Sequence, residues 1–315
     1  MKKNKLWQIY AVSLLGWIGV FCLALRLGAV ANADFSLIQE IRLPRALLAS
    51  LVGAGLAVAG AALQALFCNP LCDPYTLGIS SGAALGAILG TSIGLQWILS
   101  GFAGTAFLGA LLFAALLYSI SFRSSRTSLV LLLTGVMLGF VGNSLVALWM
   151  ALVDTQGIQS ALLWLFGDLS RARLNGTLFL GVGVLLLTFS IWRNWRELDG
   201  MLMGEEKALA LGIDVVKIRR GIIGNTSILI SLCVSAAGMI GFVGLIVPHF
   251  VRRLAGSLHF HLIPLCALWG ATLLTFADCV SRTVARPYEL PVGVITALVG
   301  APVFLLILLG RRGSL

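Results

Sequence analysis

Apolar runs of about twenty residues recur along the chain, separated by short polar stretches, and each is long enough to cross a ~30 Å hydrocarbon layer as a helix. The pattern predicts ten spans, at 6–26, 44–67, 77–98, 102–122, 128–153, 174–192, 221–237, 239–255, 262–281 and 290–309. Only one polar stretch is long. It runs from Arg193 to Arg220 and holds eleven of the thirty-four charged residues, so it must lie in water between the sixth and seventh spans. Within it, Glu205 to Leu211 combines helix formers with acids in the first turn, and Gly212 stands where a left-handed cap would close the helix. That predicts a short amphipathic helix. Its apolar residues Ala208, Leu209 and Leu211 have no core of their own in so small a loop. A groove on a partner and the membrane surface are both open destinations.

The spans carry further polar and glycine signals. Arg42-Leu43-Pro44-Arg45 opens the second span, with Asp34 and Glu40 the only carboxylates near in sequence, so the two arginines read either as interface anchors or as a docking surface for an acidic partner. The second span stops at Cys68-Asn69-Pro70-Leu71-Cys72-Asp73-Pro74, where two prolines end the helix. Gly78, Gly82, Gly86, Gly90 and Gly94 then predict a stripe for close packing along the third span. Asn143 and Ser144, midway along the fifth, line a water-filled path or bond to neighbouring helices. The segment 160–167 is too short to span and suits the outer interface with Trp164 as anchor. Asp278 and Arg282 are four apart, the spacing of an ion pair on one helical face. Gly/Ala-rich segments ending in proline, 53–70 and 236–248, hint at an inverted repeat.

Composition sharpens the class. With 59% hydrophobic residues, 11% charged and a mean hydropathy of +1.01, the chain reads as all-α, a polytopic membrane protein of about ten helices in a single transmembrane domain over 1–315. The net charge of +10 does not imply nucleic acid here, because loop position gives it another meaning. Ten spans put fifteen basic residues on the side of the termini and seven on the other, which predicts cytoplasmic termini and a cytoplasmic island. Lys2, Lys3 and Lys5 precede a first span without a small-residue cleavage site, so that span reads as retained. The six cysteines form no metal or disulfide framework. An ion-coupled secondary transporter would call for mid-span carboxylates or histidines, and Asp278 lies at an edge. No GxxxxGK[ST] motif occurs, so no nucleotide or other cofactor is expected on this chain.

Three stretches carry a resemblance: RLPRALLASLVGAGLAVAGAALQALFCNPLCDPYTLGISSGAALG, GFVGLIVPHFVRRLAG and ELPVGVITALVGAPVFLLILL, with LWLFGDL and GEEKALALGI between them in order. Together they resemble the permease family of ABC importers for iron-siderophore, haem and cobalamin. The resemblance implies a ten-helix subunit, not itself an enzyme, in the bacterial cytoplasmic membrane. It would pair with a second permease, two cytoplasmic ATPase subunits that bind ATP and Mg, and an extracytoplasmic binding protein. By the same resemblance Glu205, Glu206, Ala208, Leu209, Leu211 and Gly212 form the coupling helix seated on the ATPase. Arg42, Arg45 and Arg282 receive carboxylates of the binding protein, and Asn69, Leu71, Thr127 and Ser128 form cytoplasmic gates. Asn143 and Ser144 stay as pathway candidates. Iron-siderophore is the first substrate expected, with haem and cobalamin as alternatives.

Overall fold

A computed structural model of the chain describes residues 3–28, 34–92, 102–122, 128–152 and 164–309, and all regular structure among them is helical. Helices follow the predicted spans: α1 (Lys3–Arg26), α2 (Leu43–Leu66), α3 (Ile79–Ser92), α4 (Phe102–Phe122), α5 (Ser128–Leu152), α6 (Leu174–Arg193), α9 (Val215–Ala237), α10 (Val243–Ala255), α11 (His259–Ser281) and α12 (Val292–Leu309). Between α6 and α9 the polar island folds into α7 (Trp195–Met201) and α8 (Glu205–Ala210). Seven helical stretches among the described residues are long and apolar enough to cross a membrane, and α3 and α12 add shorter apolar helices. The chain is therefore a polytopic, all-helical membrane protein.

The bundle is organised around α2, which is almost wholly buried and packs on α11, α9, α10 and α6. Its sequence explains this. Small residues let neighbouring backbones approach, and in lipid such approach is the main source of helix–helix attraction. A Cβ at Gly53 would lie 2.2 Å from the carbonyl oxygen of Gly270 on α11, and one at Gly60 would lie 2.0 Å from that of Gly244 on α10. The two segments of the hinted repeat thus meet at Gly60 and Gly244. Polar side chains add cross-links: Ser50 and Thr275 hydroxyls lie 3.0 Å apart, and Trp17 on α1 donates to Ser50 at 3.2 Å.

Several expectations change. The second helix is entered earlier, through a turn at Phe35–Leu37 and a π-helical turn at Ile38–Arg42; Pro44 has no N–H to bond back and its ring crowds the carbonyl four residues earlier, which the wider π turn accommodates. The eighth span starts at Val243 instead of residue 239, since Phe242 adopts φ +70° and breaks the helix before it. Gly78 leaves the predicted stripe: it caps the short 3-10 turn Pro74–Leu77 in the left-handed region, while Gly82, Gly86 and Gly90 pack on α4. Gly94 lies outside the described residues. Trp164 is buried in the main core, where its carbonyl oxygen approaches Gly238, so it is no interface anchor.

Candidate coupling and gating site

The island helix α8 forms where the sequence predicted it. Gly204 enters it at φ +99°, and Gly212 leaves it at φ +79°, a conformation that a residue with a Cβ adopts only under strain. Gly212 N–H donates to Leu209 O at 2.9 Å and Ile213 N–H to Ala208 O at 3.1 Å, the double closure of a Schellman cap. Ala208 is fully buried against the chain, whereas Leu209 and Leu211 are 60% and 64% exposed. Glu206 and Lys207 face outward too. The helix therefore turns one small residue inward and presents two leucines.

Glu205 faces the bundle instead. Its Oε1 accepts the backbone N–H of Ser128 at 3.0 Å, accepts the Ser128 hydroxyl, and lies 2.6 Å from Nη2 of Arg219 on α9. Ser128 is the first residue of α5, so this carboxylate satisfies a backbone donor that the helix itself leaves unpaired. The Ser128 oxygen also lies 3.3 Å from the carbonyl of Leu66, the last residue of α2. Burial alone would raise the Glu205 pKa; the Ser128 donors and the Arg219 charge outweigh it and hold the carboxyl below the usual carboxylate range. Glu205 thus joins α8 to α5 and α9, and Ser128 carries the link on to the end of α2.

Two more contacts tie the island to the bundle. Cys68, in the turn after α2, donates its thiol to Met201 O on α7 at 2.9 Å. Asp199 of α7 accepts the backbone N–H of His259 at 2.9 Å and lies 2.6 Å from its ring Nδ1, capping the start of α11. In the turn itself Asn69 Oδ1 accepts Leu71 N–H at 2.9 Å, fixing a tight loop that leaves Leu71 exposed. Behind it, buried Gln64 donates to Cys72 O at 3.3 Å and Gly244 O at 3.2 Å and accepts from Arg252. Asn69, Leu71 and Ser128 thus stand at the same end of the bundle as α8, and Thr127 lies outside the described residues. Asn143 and Ser144 are both exposed on α5, beside exposed Phe140 and Val141.

At the opposite end Arg42, Arg45 and Arg282 are 4%, 6% and 2% exposed, each turned into the chain. Arg45 pairs with Asp278 at 2.9 Å and with Glu289 at 2.7 Å. Arg282 pairs with Asp278 at 2.9 Å, as its spacing predicted, and Arg42 donates to the carbonyls of Leu25 and Arg26 at the end of α1. The guanidinium groups are therefore engaged inside the chain and are not presented as a surface patch. Sequence reading missed Arg219, Asp199, His259, Gln64 and Glu289, whose partners lie far away along the chain.

Comparison with known proteins matches this arrangement to one family. The FecCD transport family matches residues 9–310. A Bacillus subtilis protein named "Uncharacterized ABC transporter permease protein YvrB" is 42% identical over 90% of this chain and 83% of its own length. The vitamin B12 import system permease protein BtuC of Vibrio cholerae is 36% identical over 99% of this chain and 97% of its own. A solved metal-chelate type ABC transporter in an inward-facing conformation superposes with a TM-score of 0.87 at 32% identity, covering 96% of this chain and 99% of that one. With the helical order, the capped island helix and a match over almost the whole length, the chain belongs to the FecCD transport family.

Proposed function

We propose that the chain is the permease subunit of an ATP-driven importer that carries an iron chelate, a ferric siderophore, across the bacterial cytoplasmic membrane. It works as a homodimer with both termini cytoplasmic, receives substrate from an extracytoplasmic binding protein, and is driven by two cytoplasmic ATPase subunits that hold ATP and Mg. The observation that carries this reading is the Glu205 carboxylate, which fastens the exposed island helix to the first residue of α5.

In this reading Leu209 and Leu211 seat in a groove on the ATPase, which gives their exposed side chains an apolar partner. Closure of the ATPase pair displaces α8. Glu205 passes that displacement to Ser128 and α5, and Cys68 with Met201 passes it to the turn holding Asn69 and Leu71. Both gates then move with one element, and Asn143 and Ser144, exposed on α5, line the path that opens. Docking of the binding protein on Arg42, Arg45 and Arg282 requires all three to turn outward: Glu289 and Asp278 must release Arg45, Asp278 must release Arg282, and the carbonyls at the end of α1 must release Arg42. Haem and cobalamin are alternative cargoes, since relatives are named as hemin and vitamin B12 permeases as well as an iron(3+)-hydroxamate permease.

The test is uptake of labelled ferric siderophore, hemin and cobalamin by cells lacking the chain, with wild-type or Glu205→Ala/Glu206→Ala protein restored. Uptake of the ferric siderophore only with wild type supports the proposal. Uptake of another ligand reassigns the cargo, and uptake of all three without the chain removes the assignment.

A further inference from the structure

At the inner end of α6, Phe189, Ser190, Arg193 and Asn194 line an open crevice of about 360 Å³. These residues occupy one face of the helix, at spacings of one, three and four. The same face continues upward as Leu186, Val182 and Phe179, all exposed. From Phe179 to Arg193 the helix rises about 21 Å, somewhat more than the ~15 Å depth of one half of a bilayer's hydrocarbon core. An apolar track thus ends in a polar crevice at the depth where lipid headgroups begin.

The crevice is lined with donors. Ser190 Oγ accepts from Asn225 Nδ2 at 2.9 Å, which leaves its own proton to give. Asn194 spends one amide proton on Ser190 O at 2.8 Å and keeps the other. No carboxylate lines the crevice, and among the described residues none forms an ion pair with Arg193. Beside it stands an aromatic cluster: Trp192 lies 5.8 Å from Phe189 and 5.4 Å from Phe260, and Trp195 lies 5.4 Å from Phe260. Trp192 also donates its indole N–H to Phe260 O at 3.0 Å, which fixes the ring. A second exposed cation, Arg196, lies 5.0 Å over the Trp195 ring. Tryptophan and arginine together at this level suit the interface between acyl chains and anionic headgroups.

We propose that the inner end of α6 is a binding site for one anionic phospholipid. Its phosphate lies in the crevice against Arg193, Ser190 and Asn194, and an acyl chain runs along Phe189, Leu186 and Val182. Charge complementarity selects the headgroup, and the length of the exposed track selects a lipid over a small anion.

The test is native mass spectrometry of the full chain in detergent with equimolar phosphatidylglycerol and phosphatidylcholine. Wild type should retain one phosphatidylglycerol in preference to phosphatidylcholine. Arg193→Gln should lower that preference about five-fold, the effect of one interfacial charge, while Arg193→Lys keeps most of it. Arg253→Gln, which removes an exposed arginine elsewhere at this end, should leave it unchanged. Ser190→Ala keeps the charge and removes a donor, and should weaken the preference about three-fold. Equal retention of the two lipids, insensitivity to Arg193→Gln and Ser190→Ala, or the same loss in Arg253→Gln overturns the proposal. So does complete displacement of the lipid by excess inorganic phosphate, which would show a site for a bare anion, or a lipid-free dimer that depends on Arg193.

Discussion

Glu205 joins α8 to both α5 and α9, and its charge is what makes these contacts. Glu205→Gln keeps the shape but removes the negative charge 2.6 Å from Arg219, a guanidinium that is itself buried. The expected cost is about 1–3 kcal/mol, seen as faster hydrogen exchange of residues 204–212 at neutral pH and lower ATP-coupled uptake at unchanged membrane abundance. The sign of the pH dependence follows from a carboxyl whose folded pKa is depressed. Its contribution is complete above the unfolded-state pKa of about 4.3 and is lost as pH falls through the lower folded value. Protection of 204–212 should therefore stay level from neutral pH down to about pH 5 and fall only in stronger acid. A loss centred near pH 6 would contradict it. At the other end, Asp278→Asn leaves Arg45 with Glu289 alone and buried Arg282 with backbone carbonyls but no carboxylate, and should lower stability in detergent by about 3–5 kcal/mol; a melt within a degree or two of wild type would show that these remaining contacts suffice.

Element by element, packing depends on glycine only where backbones touch. Gly60→Leu must push α10 away from α2, because its Cβ would fall on the Gly244 carbonyl, and the protein should fail to accumulate in membranes. Gly241→Ala meets nothing within 4 Å and should accumulate normally. Equal yields of the two would mean that the α2–α10 contact is not close in the assembled protein. This contrast also marks how far the sequence could be read. Run length located the helices, and the acids of 205–206 with Gly212 located α8, because those signals are local. The partners of Glu205 and Arg45 were not legible, since Ser128 lies 77 residues away and Asp278 lies 233. Trp164 misled for a related reason: a tryptophan beside a span suits the interface by composition, and only its packing near Gly238 shows it is buried. Arg42 and Arg282, charged and beside the membrane edge, gave no local sign that carbonyls at the end of α1 would take them in.

For the whole molecule, the proposed path runs along the exposed side of α5 that carries Asn143 and Ser144. Asn143→Leu should reduce uptake several-fold without lowering abundance, because it replaces an exposed amide by a side chain that does not hold water. Uptake at the wild-type rate would assign Asn143 to some other surface. The ion pairs of Arg45 reach beyond the finished fold. Its two carboxylates lie 233 and 244 residues downstream, so they do not exist when α2 leaves the ribosome. At about 5–20 residues per second, Arg45 waits on the order of 10–50 s for Asp278. For that interval a charged side chain near the membrane edge has only lipid headgroups, water or the insertion machinery to face, and a chain truncated before α11 never leaves that state. The order of synthesis therefore gives this protein a late checkpoint: its central helix enters the membrane early, but the charge at that helix's start is neutralised only when the last part of the chain arrives.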